Sequence, residues 1–153
     1  MYTVDASVHV SALHPTEADS GASLAFLELA QERQLALFCP TLLPVEVAAA
    51  IAGVLGNVGL ALGLAAALRG LPNQVLVPLD DTLADRAANL AATARLRGAD
   101  AVYAAVAQQY GTTLVTLDRQ QLERLSGLLK VARPADVLHD VAATPPSPED
   151  SLH

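Results

Sequence analysis

The stretch Ala99–Asp118, ADAVYAAVAQQYGTTLVTLD, decides the fold class, because a helical pattern passes directly into a strand pattern within it. Apolar residues at helical spacing predict a helix that ends at Gly111, and the short apolar run that follows predicts a strand. An acid stands at each end, since Asp100 lies near the helix start and Asp118 closes the strand. The stretch therefore predicts a helix–strand unit with a carboxylate at both boundaries.

The same alternation of strand and helix patterns runs along the whole chain. Strands are predicted in YTVD, LALFCP, QVLVPLD and TTLVTLD, with a short fifth strand in LKVAR. The segment DTLADRAANLAATARLRG between the third and fourth strands predicts a helix that Gly98 ends. Short apolar strands separated by helices favour a parallel sheet covered on both faces. We therefore expect an α/β protein, an α/β/α sandwich with a central parallel sheet of four to five strands.

The length of 153 residues suits a single domain. We expect this domain to span residues 1–141. The remaining residues, 142–153, are rich in Pro and Ser and predict a disordered C-terminal tail.

The charge balance limits the classes of function. The net charge is −7, with nine Lys and Arg against sixteen Asp and Glu, and aromatic residues make up 3% of the chain. An acidic protein with few aromatic side chains is not a plain nucleic-acid-binding module, because both the attractive field and the stacking surface are missing. A metal site that cuts phosphodiesters stays open, because bound cations reverse the local charge.

Two features bear on location and assembly. Cys39 is the single cysteine, which excludes an intrachain disulfide and fits a reducing cytoplasm. Val47–Leu68 carries no charge and is long enough to span a bilayer, but Gly56 and Asn57 form a turn signal in its middle. We expect two short helices here rather than a membrane span, and a protein–protein contact on their apolar surface.

Several acids follow predicted strands. Asp5 ends the first strand, Asp118 ends the fourth, and Glu46 is expected in the first turn of the helix after the second. Asp100 is expected at the start of a helix, after the break at Gly98. Sites in open α/β sheets form at the carboxyl ends of the strands. Each acid has a structural alternative as a helix cap or a first-turn acid. Acids gathered at adjacent strand ends repel one another unless something binds them, and hard carboxylate oxygens favour Mg²⁺ or Mn²⁺.

Four motifs, VDAS, LLPVEVAAAI, LRGADAVYAAVA and LVTLDRQQL, resemble in order and spacing the acidic motifs of the PIN-domain nucleases. The most similar group is the VapC-like ribonuclease toxins of toxin–antitoxin pairs. The resemblance implies a PIN-like fold and a cytoplasmic, Mg²⁺- or Mn²⁺-dependent endoribonuclease. It also implies a homodimer that is inhibited by an antitoxin protein. The apolar surface of the helices after Glu46 is where we expect the dimer contact. By the same resemblance, the metal ligands and catalytic residues are Asp5, Glu46, Asp100 and Asp118.

Further residues are expected around these acids. The resemblance places Ser7 and Thr116 at hydroxyl positions that support the acids or contact the substrate. Arg97 and Arg119 stand beside two of the acids and are candidates to hold a phosphate. The alternative for both arginines is an exposed ion pair at a helix end.

Two other functions remain open at this point. A PIN-like binding protein without activity is one, because RNA binding needs more cationic surface than this chain offers. A phosphoryl-receiver domain is the other, although the first strand carries a single Asp and Lys130 opens a strand instead of following one.

Overall fold

A computed structural model of the chain describes residues 1–143. The strands are β1 (Tyr2–Val4), β2 (Leu37–Pro40), β3 (Gln74–Val77), β4 (Thr113–Val115) and β5 (Val131–Ala132). The helices are α1 (Ala6–Ala12), α2 (Ser20–Glu32), α3 (Leu42–Leu55), α4 (Val58–Gly70), α5 (Asp81–Ala94), α6 (Gly98–Tyr110), α7 (Arg119–Leu125) and α8 (Pro134–Ala143). Of the predicted tail, residues 142 and 143 belong to α8, and the rest lies outside the described residues.

All five strands are parallel and lie in the order β3-β2-β1-β4-β5, which confirms the predicted α/β/α sandwich. β1 occupies the centre, between β2 and β4. The backbone N–H of Asp5 donates to Val115 O over 3.0 Å and carries the β1–β4 pairing past the end of the strand. The carboxyl ends of β1 and β4 therefore adjoin at the point where the strand order reverses, which is where sites form in such sheets.

The helices cover both faces of the sheet. Parallel crossovers are right-handed, so the two crossovers through α1–α4 lie on one face and the crossover through α5 and α6 lies on the other. α6 packs on β1, β2 and β4, and α5 packs on α6. The run Asp100–Ala107 is buried without interruption, because the sheet covers one side of α6 and α5 the other. Its many alanines allow this close approach, so α6 brings Asp100 to the centre of the sheet edge.

One predicted helix end is wrong. The helix α5 ends at Ala94, where Arg95 adopts a left-handed φ of 55° and donates its N–H to Ala91 O. Gly98 begins α6 instead of ending α5. Sequence reasoning chose Gly98 because glycine is the usual residue in this conformation. The end predicted at Gly111 is confirmed, with φ 61°.

The uncharged stretch after Glu46 forms two helices, as predicted. Gly56 ends α3 with φ 62°, and the Asn57 side chain accepts from Leu60 N over 2.9 Å to begin α4. Within the described residues, no helix combines the length and apolar character needed to cross a membrane. α3 begins at Leu42 and not near Pro44, so Glu46 lies in the second turn and the prediction of a first-turn acid is wrong.

Candidate active site

The four predicted acids line a single cleft of about 560 Å³ at the edge of the sheet where β1 and β4 end. They are Asp5, Glu46, Asp100 and Asp118. Each comes from a different part of the chain: the end of β1, α3, the first turn of α6 and the end of β4. Ser7 and Arg97 line the same cleft. Thus the tertiary structure brings together acids that are separated by up to 113 residues of sequence.

Asp5 is held by one of its two carboxylate oxygens. Oδ2 accepts from Ser7 N and from the Thr116 hydroxyl, each over 3.2 Å, and Asp5 is 6% exposed. The bond to Ser7 N makes Asp5 the N-cap of α1, so the capping alternative is also correct. No described residue donates a hydrogen bond to Oδ1. Asp5 therefore presents one fixed oxygen and one oxygen that is free to bind.

Two hydroxyl groups tie β4 to the β1 end of the site. Thr116 is fully buried, and its Oγ1 donates to Asp5 Oδ2 and accepts from Asp118 N over 3.0 Å. Ser7 Oγ accepts from Leu117 N over 3.2 Å. Both hydroxyls thus act on the positions of the acids and of the loop that carries Asp118.

Asp100 and Asp118 share a partner, Gln121 of α7. The Gln121 side-chain Nε2 donates to Asp100 Oδ1 over 3.1 Å, and its backbone N donates to Asp118 Oδ1 over 2.9 Å. The second bond makes Asp118 the N-cap of α7. Gln121 is fully buried, so both carboxylates are fixed through their Oδ1 atoms by one rigid residue.

The remaining oxygens of that pair face Arg97. Its Nε donates to Asp100 Oδ2 over 2.9 Å, and its Nη2 donates to Asp118 Oδ2 over 2.8 Å. The Arg97 side chain is 69% exposed, against 12% for Asp100 and 21% for Asp118. Burial raises the pKa of Asp100, and the guanidinium opposes this rise.

Glu46 completes the cleft with an unpaired oxygen. Neither its buried Oε2 nor the buried Tyr103 hydroxyl has a hydrogen-bond partner among the described residues. Burial is the main cause that raises the pKa of Glu46, and the negative charge of Asp5 raises it further. The nearby hydroxyl of Tyr103 opposes this rise, although it does not reach hydrogen-bond geometry. An orphaned buried carboxylate oxygen is costly, and a cation or a proton would relieve it.

The family model that describes the PIN domain matches residues 2–128 of the chain. The chain belongs to the PIN-domain family. The resemblance seen in the four acidic motifs is thereby confirmed, and the receiver-domain alternative is discarded. A comparison with curated protein sequences gives no match.

Solved structures share the PIN fold of this chain. Mycobacterium tuberculosis VapC20, a sarcin–ricin loop cleaving toxin, is 16% identical with a TM-score of 0.71, covering 88% of this chain and 100% of that one. A toxin–antitoxin complex from Klebsiella pneumoniae contains a chain that is 16% identical, with a TM-score of 0.64, over 88% and 98% of the two chains. PAE2754 from Pyrobaculum aerophilum is 27% identical with a TM-score of 0.62, covering 94% of this chain and 97% of that one.

The donor set of this PIN domain suits a hard divalent cation. Hard oxygen donors predominate in the cleft, since the four predicted acids are joined there by Glu17, Asp19, Ser7 and Ser11. In the described residues, however, no three acid, histidine or cysteine side chains stand close enough together to form a ready-made metal site. Arg97 spans two of the acids in this arrangement. The chemistry of the ligands fits a divalent cation, and Arg97 occupies one oxygen of Asp100 and one of Asp118 in this structure.

Sequence reasoning missed Gln121 and Tyr103, as well as Glu17 and Asp19, which line the cleft. Gln121 and Tyr103 contact the acids from buried positions, but neither residue stands out in its motif. The one available signal was spacing, since Gln121 lies three residues after Asp118, at the position that an N-cap aspartate bonds. For Arg119 the structure agrees with the alternative of an exposed ion pair at a helix end. Arg119 pairs with Glu123 over 3.3 Å on the surface, with its side chain 83% exposed, and is not among the residues that line the cleft.

Proposed function

We propose that this PIN domain is a metal-dependent endoribonuclease and the toxin component of a VapBC-type toxin–antitoxin pair. One observation carries the proposal: four carboxylates from four separate elements face one cleft at the switch point of the sheet. Membership of the PIN family and the fold shared with VapC20 support it.

Asp5, Glu46, Asp100 and Asp118 would hold Mg²⁺ or Mn²⁺. A divalent ion supplies three things that phosphodiester hydrolysis needs: an activated water, neutralisation of the phosphate charge and stabilisation of the leaving oxygen. Ser7 and Thr116 fix one oxygen of Asp5, and Gln121 fixes one oxygen each of Asp100 and Asp118. The second oxygen of Asp5 accepts no hydrogen bond from the described residues, whereas those of Asp100 and Asp118 contact the exposed Arg97. This division keeps the acids oriented, because the bonds from Ser7, Thr116 and Gln121 do not have to break when the second oxygens bind a cation.

Cleavage of a random-sequence RNA pool tests the proposed activity, with 5′-end sequencing to locate the cuts. We expect cleavage with Mn²⁺, none with excess EDTA, and about a hundredfold or greater loss in Asp5→Asn, because a ligand contributes several kcal/mol of charge stabilisation. Asp85→Asn is the matched control, since Asp85 is exposed on α5 outside the cleft.

Equal cleavage by Asp5→Asn and the parent would overturn the assignment. A parent protein that binds Mn²⁺ but leaves the RNA pool intact would favour the alternative of a PIN-like binding protein without activity. The net negative charge of the chain supports this alternative, because RNA binding needs cationic surface.

We propose that an apolar hollow between α1, α2 and α4 receives part of the antitoxin. The hollow measures about 180 Å³, and Leu13, Leu24, Leu27 and Leu64 contribute to its lining. Solved relatives include the VapBC2 pair from Rickettsia felis, which supports an antitoxin partner. Leu24 is 46% exposed at the rim, so Leu24→Glu should prevent co-purification with the protein encoded by the adjacent reading frame. Leu128→Glu, at an exposed position outside the hollow, should have no effect.

We place the homodimer contact on the tip of the α3–α4 hairpin. Val54, Leu55, Val58 and Leu62 are 52–65% exposed there, which is a large apolar surface for a monomer. Sedimentation at tens of micromolar should give a dimer for the parent and a monomer for Leu62→Glu. A monomeric parent would contradict this placement.

We also propose a cytoplasmic location, which the single, buried and unpaired Cys39 supports.

A further inference from the structure

Arg97 makes the same contacts that a metal ion would need. The two oxygens it binds, Asp100 Oδ2 and Asp118 Oδ2, are the oxygens that Gln121 leaves free. The guanidinium therefore occupies the oxygens of this acid pair that a cation could otherwise bind.

We infer that Arg97 is an internal competitor of the metal: it holds the Asp100–Asp118 pair in the metal-free protein and releases both carboxylates when a divalent cation binds. The inference rests on the proposed metal-dependent function. Arg97 would then control the binding of the metal, a step that comes before any contact with a substrate phosphate.

Charge and geometry explain why the arginine holds the pair. Two carboxylates that face one another across a cleft repel, and one guanidinium neutralises part of that charge through two separate N–H groups. The two bonds of 2.9 and 2.8 Å are short, charge-assisted contacts. The pKa of Arg97 is raised in turn, chiefly by its bond to Asp100, which records the same attraction.

Exposure explains why the arginine can leave. The Arg97 side chain is 69% exposed, so its guanidinium can return to water without opening the core. Gln121, in contrast, is fully buried and stays with its two Oδ1 acceptors. The release thus frees the Oδ2 atoms without changing the orientation of either carboxylate.

Calorimetric titration of the metal-free protein with Mn²⁺ tests this role. Arg97→Gln removes the charge and the two-point contact, so we expect its Kd for Mn²⁺ to be about fivefold or more tighter than that of the parent, the scale of one partly exposed ion pair. Arg86→Gln removes an equal charge on α5, where Arg86 bonds to Gln108 and does not touch the acids, and should change the Kd less than twofold.

Each outcome has a distinct meaning. An Arg97→Gln Kd within twofold of the parent, or weaker, overturns the inference, and the proposed function stands if the parent binds Mn²⁺ and cleaves RNA. Equal tightening in both variants also overturns it, because the effect is then one of overall charge. If neither the parent nor Arg97→Gln binds millimolar Mn²⁺, both the inference and the metal-dependent function fail. Binding by Arg97→Gln alone supports the inference.

A second measurement on the parent protein does not depend on the folding of a variant. The Nε–H of Arg97 is hydrogen-bonded in the metal-free protein, so its NMR signal should exchange slowly with water and should exchange faster as Mg²⁺ is added. A signal that keeps its exchange rate at saturating Mg²⁺ overturns the inference, because Arg97 then stays on the pair.

Discussion

The side-chain Nε2 of Gln121 donates to Asp100 Oδ1 over 3.1 Å, and both residues are buried where α6 and α7 meet at the cleft. The backbone N of the same residue caps α7 through Asp118. Gln121 therefore couples the orientation of two proposed metal ligands that come from different helix starts. Its effect on the site is indirect, through the acids, and this makes it a positioning residue.

Gln121→Met should weaken Mn²⁺ binding by roughly tenfold, because Asp100 loses the donor that fixes its Oδ1. Methionine fills a similar volume, so the fold should be kept. Gln120→Met is the matched control, since Gln120 is the exposed neighbour. Calorimetry with Mn²⁺ measures the difference, and equal affinities for the two variants would remove Gln121 from the site.

Thr116→Val should lower both stability and metal affinity. The buried hydroxyl makes two hydrogen bonds, to Asp5 Oδ2 and from Asp118 N, and their loss should cost about 1–2 kcal/mol of unfolding free energy. We expect Thr116→Ser to restore most of the metal affinity, because it keeps the hydroxyl. Urea unfolding and Mn²⁺ titration check the two effects separately. A serine variant as poor as the valine variant would indicate that packing of the methyl group matters more than the hydrogen bonds.

Glu46→Gln should stabilise the metal-free protein at neutral and alkaline pH. Burial raises the pKa of Glu46, so the stability that its protonated form contributes is present at low pH and is lost as the pH rises through that pKa. In EDTA at pH 8 we expect the variant to melt about 3 °C above the parent, and the difference to shrink towards pH 4. The exposed Glu28 on α2 provides the control, since Glu28→Gln should leave the melting temperature unchanged at both pH values. A gain that is independent of pH would contradict the role of the charge.

His9→Leu should protect the protein against mild acid. His9 is 6% exposed, its Nε2 has no hydrogen-bond partner among the described residues, and burial lowers its pKa from 6.5 to about 4. The unfolded chain takes up this proton first, so stability is lost as the pH falls from 6.5 towards 4. The unfolding free energy of the leucine variant minus that of the parent should therefore be about 2 kcal/mol larger at pH 5 than at pH 8. His139→Leu, at an exposed position, should show no such gain, and urea unfolding at the two pH values decides between them.

Local signals in the sequence were sufficient for much of the fold. The parallel sheet followed from short apolar strands separated by helices, and the break at Gly56–Asn57 from a glycine that takes a positive φ and an asparagine cap. Where a helix ended without glycine, as α5 does at Arg95, the prediction failed. Backbone conformation at such an end depends on packing of the whole loop and not on the residue type alone.

The sequence by itself determined which acids were candidates, because a cap or a strand-end acid acts within a few residues and is visible in a short motif. Asp5 and Asp118 are indeed caps, and both also face the cleft. Only the tertiary structure decided which oxygen of each acid is bound and which is available. The contacts of Arg97 and Gln121 cross 21 residues of sequence and depend on how α6 and α7 meet, and that geometry is set by packing on the sheet.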